Sequence, residues 1–207
     1  MFQDRTDAGE RLGAELSRRG VEADVVLGIP RGGLPVARPV AEELGADVDV
    51  VVASKIGAPG NPELAIGAVS SDGSVWLNDA LVHRLGVPET YIDAQREEEA
   101  AYARGKAERY RNGEYVPDLE GERVVVVDDG VATGATARAC LREVEEAGAE
   151  RVVLAVPVGS PDSVAEIESE ADDVVALETP ADFRAVGQFY REFGQVSDQK
   201  AMGYLED

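Results

Sequence analysis

The feature that most constrains this chain is the run Val124-Val-Val-Val127, followed at once by Asp128-Asp-Gly-Val-Ala-Thr-Gly-Ala-Thr136. Four consecutive β-branched residues favour an extended backbone and leave neither face polar. The run therefore reads as a strand buried on both sides, the kind found in parallel sheets covered by helices. Parallel neighbours need a crossover connection, which is commonly a helix.

The rest of the chain keeps that rhythm. Ala8, Leu12 and Leu16 fall at helical spacing in residues 7–19. Asp24 to Ile29 is a short apolar strand, residues 35–44 read as a helix, and Val50 to Ala53 as a second strand. Lys55 to Pro62 is rich in Gly and Pro and reads as a loop, with a further strand at Ala65 to Val69. A charged helix is predicted from Pro88 to about Asn112. A helix from Ala135 to Ala147, a strand from Val152 to Val156, another helix and a strand from Val174 to Leu177 complete the series. Such alternation predicts an α/β fold, an open, mostly parallel twisted sheet with helices on both faces. No repeat or linker divides the 207 residues, so a single domain over 1–207 is expected.

Composition narrows the partners. With 41 acidic and 20 basic side chains the net charge is -21. Nucleic acid and anionic membranes both require a positive face, so neither is expected as a partner. Lysine occurs only as Lys55, Lys106 and Lys200, and this acidic, lysine-poor balance resembles proteins of high-salt cytoplasm. Cys140 is the only cysteine and His83 the only histidine, which excludes an internal disulfide and a Cys/His zinc cluster; no nucleophile motif pairs with His83, which argues against a His-paired hydrolase. The opening MFQDRTDAGERLG has no apolar signal core, and no run reaches membrane-spanning length, so a cytoplasmic location is expected. Homodimer formation stays open, with Trp76 as a candidate interface residue.

In an open parallel sheet, ligands bind outside the carboxyl ends of the strands. The loop after Val127 brings two carboxylates there, then small residues, two threonine hydroxyls and the first turn of a helix. Free amides and the helix dipole form a phosphate cradle. Two acids beside that cradle suit a ligand that also carries hydroxyls or brings Mg2+, as a phosphorylated sugar does. No lysine follows Gly134, so the segment is not a P-loop.

The stretch Asp128 to Thr136 resembles the 5-phosphoribosyl-1-pyrophosphate (PRPP) signature of the type I phosphoribosyltransferase family. The resemblance implies that Asp128 and Asp129 meet the ribose hydroxyls, directly or through Mg2+. It also places the 5-phosphate on the loop of Gly130, Val131, Ala132, Thr133, Gly134, Ala135 and Thr136, chiefly on the amides from Ala132 onward. Purine salvage members of the hypoxanthine-guanine type carry an acid where this chain has Ala132, so any acid or base acting on the acceptor must come from elsewhere. The loop Pro30-Arg-Gly-Gly33 lies where the family holds pyrophosphate, often through a non-proline cis peptide. The resemblance thus implies Arg31, Gly32 and Gly33 as pyrophosphate contacts. Lys55, at a strand tip, is a further candidate to neutralise the leaving group.

The segments Lys55 to Gly67, Arg31 to Ala37 and Phe189 to Asp198 resemble a branch of the family whose acceptor is unknown. The resemblance implies a helical lid insertion near residues 76–115 and a small hood near 178–207. Arg96, Arg104, Arg109 and Arg111 of the charged helix are candidate lid cations, and Phe183, Phe189 and Tyr190 are candidate platforms for a planar acceptor. The implied reaction is transfer of phosphoribose from PRPP to a nitrogenous acceptor. Two alternatives remain at this stage: a non-catalytic protein that senses PRPP or a nucleotide, and nucleotide phosphorolysis or hydrolysis at the same site.

Overall fold

The structure is a computed structural model that describes residues 1–111 and 118–206. Five parallel strands form the main sheet in the order β2-β1-β6-β7-β8. They are β1 (Val25–Gly28), β2 (Asp47–Val50), β6 (Arg123–Val127), β7 (Arg151–Val158) and β8 (Asp173–Glu178). The open α/β sheet read from the sequence is therefore present. The valine run explains how it is covered: Val124 and Val126 point into one core with Cys140, Leu141 and Val144, while Val125 and Val127 point into the other with Leu12, Leu16 and Val40. The first core belongs to α5 (Ala135–Glu146) and α6 (Pro161–Ile167), the second to α1 (Arg5–Arg18) and α2 (Leu34–Leu44). Period-two side-chain direction makes an unbroken valine run serve two helical layers at once.

The segment after β2 departs from the sequence reading. The strand expected over Val50 to Ala53 ends at Val50, and a second sheet begins at Ala53. Val51 stays in the main core, whereas Val50 and Val52 pack with Leu34 and Ala103, so the apolar run remains buried while the chain changes sheets. The Gly/Pro-rich stretch expected to be a loop is a hairpin, β3 (Ala53–Ala58) and β4 (Asn61–Ser70), continued by β5 (Val75–Leu77) in antiparallel order. The hairpin accommodates its proline because the register shifts on either side of Gly57, where a Cβ would stand 2.7 Å from Pro62. Proline offers no amide to a ladder and is confined to edges and bulges of this kind.

Helices α3 (Asp79–Leu85) and α4 (Glu89–Tyr110) follow; the ends expected for the charged helix at Asn112 and for the lid at residue 115 lie outside the described residues. α4 buries Ala103, Ala107 and Tyr110, and four of its side chains reach the small sheet or its turns. Tyr91 donates to the Gly57 carbonyl at 3.0 Å, Glu99 accepts from Ser54 at 2.5 Å, and Arg96 and Arg104 donate to the carbonyls of Gly73 and Ser71. The tail returns to the start of the chain. The Phe2 amide donates to the Phe189 carbonyl at 2.8 Å, and α7 (Asp198–Met202) packs beside α4. His83 is exposed and Cys140 is buried in the core, both as expected. Trp76 is only 8% exposed, packed on Ala135 and Ala139 beneath the Arg138 guanidinium, so within this chain it is a core residue. No helix of the described residues is long and apolar enough to cross a membrane.

One buried carboxyl ties the small sheet to α5. Glu143 is 1% exposed and accepts from the Ser71 hydroxyl at 2.6 Å and the Ser71 amide at 3.2 Å. Burial pushes its carboxyl up to about 8, nearby Asp72 adds to the shift, and the Ser71 bonds oppose it. The folded state thus holds a proton that the unfolded chain releases near 4.5. Its contribution is present at low pH and declines as pH rises from there through about 8. Melting curves of the wild type and Glu143→Gln should therefore diverge between pH 5 and 8, the wild type losing the greater share of its melting temperature. Parallel curves would contradict the assignment.

Candidate functional site

β6 ends at Val127, and the next two residues place their carboxylates at the sheet's carboxyl edge, both half-buried. The Asp129 amide donates to Asp128 Oδ1 at 2.8 Å, which turns the first carboxylate back along the loop. Asp129 is held from two further sides. Arg5, at the first turn of α1, donates from Nε to Asp129 Oδ2 at 2.8 Å, and Tyr190 donates its hydroxyl to the Asp129 carbonyl at 2.6 Å. Arg5 also donates to the Gly194 carbonyl at 2.9 Å and lies 3.9 Å over the Phe193 ring. Arg5 is a site residue that sequence reading missed. Its partner is 124 positions away, and nothing local separates it from the other arginines of α1.

Burial raises the carboxyl of Asp128 well above the ordinary carboxylate range, the neighbouring Asp129 raises it further, and Lys55 and Arg5 partly offset this. Burial also raises Asp129, opposed by the charge and hydrogen bond of Arg5. Two adjacent carboxylates in one partly dehydrated place disfavour their own ionisation, and a cation or a set of hydroxyl donors relieves that cost.

The loop after the acids is pinned by the backbone of Val131 and the carbonyl of Ala132. Val131 pairs with Gly159 beyond β7, its amide bonded to the Val158 carbonyl and its carbonyl to the Ser160 amide, both at 2.9 Å. The Ala132 carbonyl accepts from Ser163 at 2.6 Å and from Ser160 at 3.0 Å. Gly130 lies against Val186 of the tail, where a Cβ would stand 2.6 Å from that side chain. Gly134 caps α5 at φ +76°, a left-handed geometry that glycine adopts without strain, and as the cap residue it makes no side-chain hydrogen bond to the first amides of the helix. Ala132 and Thr133 are exposed, Thr136 is half-buried and Ala135 is buried.

The loop after β1 packs directly against this one. The Pro30–Arg31 peptide is cis, as the family resemblance implied. A Cβ on Gly32 would collide with the Asp129 carboxylate, and one on Gly33 would stand 2.5 Å from the Val127 carbonyl. Arg31 itself is exposed beside a cleft it shares with α4. Lys55 is exposed at the start of β3, with its charge acting on Asp128. Thus the structure brings Arg31, Gly32, Gly33, Lys55 and the whole stretch from Asp128 to Thr136 to one edge of the sheet. It also adds Lys106 of α4, which donates to the Pro30 carbonyl at 3.2 Å.

Of the candidate acceptor platforms, Tyr190 is buried between Phe2 and Phe193, with ring centroids at 5.4 and 5.0 Å. Phe183 and Phe189 stack on each other at 5.7 Å. Among the lid arginines, Arg96 and Arg104 turn to backbone carbonyls and Arg111 to Asp49 at 3.0 Å, while Arg109 faces the cleft beside Arg31.

The family model described as "phosphoribosyl transferase domain" matches residues 3–193. A Mycobacterium tuberculosis protein provisionally named a phosphoribosyl transferase is 46% identical over 206 residues, covering 100% of this chain and 46% of its own length. The chain therefore spans about half the length of these curated relatives. The crystal structure of TT1426 from Thermus thermophilus superposes with a TM-score of 0.83 at 44% identity, covering 99% of this chain and 97% of that one. A purine phosphoribosyltransferase from Pyrococcus horikoshii, 20% identical over 93% of each chain with a TM-score of 0.51, shares the fold.

The raised carboxyls give a direct test. The folded state of Asp128 holds its proton to a higher pH than the unfolded chain does, so its contribution to stability falls as pH climbs above 3.8. Asp128→Asn should raise the melting temperature of the ligand-free protein at pH 7, with the gain shrinking toward pH 4. A variant less stable than the wild type at pH 7 would show that the carboxylate is satisfied within the chain.

Proposed function

Because the chain belongs to the phosphoribosyl transferase domain family, we propose that it binds PRPP with Mg2+ and transfers the phosphoribosyl group to a nitrogenous acceptor, releasing pyrophosphate. The observation that carries this reading is the single loop in which two electrostatically costly carboxylates stand beside an uncapped helix start. A phosphate alone would gain nothing from the acids, and a free sugar nothing from the amides. A phosphorylated sugar uses both.

On this reading the amides of Ala132 to Thr136 bind the 5-phosphate and the acids orient the ribose. Among the described residues no group of three His, Cys, Asp or Glu side chains could hold a metal. The donor set nonetheless suits Mg2+, which is commonly held by one or two carboxylates together with water and substrate phosphates. Asp128 is the principal candidate because Asp129 is already paired with a cation, the Arg5 guanidinium. When bound, Mg2+ supplies positive charge to the diphosphate oxygens. As the bond between the anomeric carbon and the diphosphate oxygen breaks, its electron pair leaves with pyrophosphate. Arg31 faces that growing negative charge, and Lys55 supports it across the acidic pair. The acceptor nitrogen then bonds to the anomeric carbon, and the segment 178–206 forms the hood under which it enters. The charged helix α4 borders the site as the lid.

Calorimetric titration with PRPP and Mg2+ tests the site independently of the acceptor. The double variant Asp128→Asn, Asp129→Asn should lose at least about a hundredfold in PRPP affinity, since each acid contributes charge-assisted bonds of roughly 1.5–3 kcal/mol. Unchanged affinity would overturn the reading. Pyrophosphate release with a panel of bases and amines then separates a transferase from a protein that only senses PRPP.

A further inference from the structure

Arg5 stands where helix physics disfavours it. It is the first residue of α1, and a cation in the first turn of a helix is opposed by the positive end of the dipole. The other arginines of α1 pair within the helix, Arg11 with Asp7 at 2.9 Å and Arg18 with Glu15 at 2.7 Å. Arg5 instead finds its carboxylate 124 positions away. A residue that breaks a local rule in this way serves something other than its own helix.

The pair is held in one geometry. The Arg5 and Asp129 side chains are only 12% and 15% exposed. Arg5 donates from Nε to Asp129 Oδ2 at 2.8 Å and from Nη1 to the Gly194 carbonyl at 2.9 Å, and its guanidinium lies 3.9 Å over the Phe193 ring. The Gly32 backbone closes in as well: a Cβ there would stand 2.0 Å from Asp129 Oδ2 and 3.3 Å from Arg5 Nε. The first helix, the tail and the cis-peptide loop thus fix one carboxylate oxygen. The other, Oδ1, has no hydrogen-bond partner among the described residues.

Pairing decides what that carboxylate can accept. A guanidinium beside it repels a second cation, and Mg2+ carries twice the charge of the guanidinium. A neutral hydroxyl meets no such repulsion, and a charged acceptor held in one orientation binds it more strongly than a neutral acceptor does. Asp128, one residue earlier, forms no ion pair among the described residues and accepts only the Asp129 amide.

We propose that Arg5 is a positioning residue that divides the acidic pair, reserving Asp129 for a ribose hydroxyl and leaving Asp128 to Mg2+. The inference rests on the PRPP reading given above. Arg5 touches neither ligand. It acts through the charge and orientation of Asp129, and no bond or proton moves in doing so.

Two ligands that respond in opposite directions test this on the wild type, Arg5→Gln, Arg5→Lys and Asp128→Asn. Ribose 5-phosphate is titrated by calorimetry, with inorganic phosphate as the ligand that lacks hydroxyls. Mn2+, a paramagnetic stand-in for Mg2+, is titrated separately by electron paramagnetic resonance in molar KCl, which screens its diffuse attraction to a chain of net charge -21. Arg5→Gln should weaken ribose 5-phosphate about tenfold, the scale of one charged hydrogen bond, and leave inorganic phosphate unchanged. The same variant should tighten Mn2+ at least about fivefold, because the repelling charge is gone and Asp129 becomes open to the metal. Arg5→Lys keeps the charge and should hold Mn2+ at the wild-type affinity. It should recover only part of the ribose 5-phosphate loss, since an ammonium lacks the planar fork that reaches both Asp129 and Gly194. Asp128→Asn should lose the Mn2+ site. Weakening of all three ligands together in Arg5→Gln would mean that Arg5 only supports the fold, and Mn2+ held equally by wild type and Arg5→Gln would mean that the pair is not divided. Either result overturns this inference while leaving PRPP binding intact. If Arg5→Gln does not fold, Arg5→Lys decides: full retention of ribose 5-phosphate affinity, or a loss shared with phosphate and Mn2+, overturns it. A wild type that binds neither ribose 5-phosphate nor PRPP overturns the functional reading and this inference with it.

Discussion

The burial of two adjacent carboxylates, Asp128 and Asp129, is the constraint on which the rest of the site depends. The β6 strand is buried on both faces, so its tip opens into a partly dehydrated edge where two charges are costly. The surrounding chain meets that cost from distant positions. Arg5 comes from the first helix and Lys55 from the small sheet, while Tyr190 of the tail holds the backbone carbonyl of Asp129. Each leaves the acids oriented without fully neutralising them. A site whose charges were already balanced would gain little from a cation or from sugar hydroxyls.

The same logic explains how the termini are joined. Phe2 pairs with Tyr190, Arg5 bonds the Gly194 carbonyl, and the Tyr190 ring sits between Phe2 and Phe193. These contacts fix the tail beside Gly130 through Val186. The tail is thereby tied to Asp129 through the Tyr190 hydroxyl and through Arg5, which bonds both the Gly194 carbonyl and the Asp129 carboxylate.

The parts of this arrangement legible in the sequence are those written in consecutive residues. Four valines specify a strand and both layers that cover it, and the acids and small residues that follow specify the loop. Pro30-Arg-Gly-Gly33 was legible only beside the family resemblance, because glycines alone do not say what they approach. The hairpin over residues 53–70 was hidden by Gly57, Gly60 and Pro62, which read as loop residues until a register shift lets them sit in a strand. Arg5 and Lys106 were hidden for another reason. Each is one cation among several on a charged helix, and only the folded chain selects the one that meets the acids or the Pro30 loop.

The central claim is that one loop grips a phosphorylated sugar by its phosphate and its hydroxyls together. A crystal structure of the protein soaked with PRPP and Mg2+ tests it most directly. The account predicts the 5-phosphate on the amides of Ala132 to Thr136, with the ribose hydroxyls toward Asp128 and Asp129. A phosphate bound at another strand end, or a ribose turned away from both acids, would contradict it.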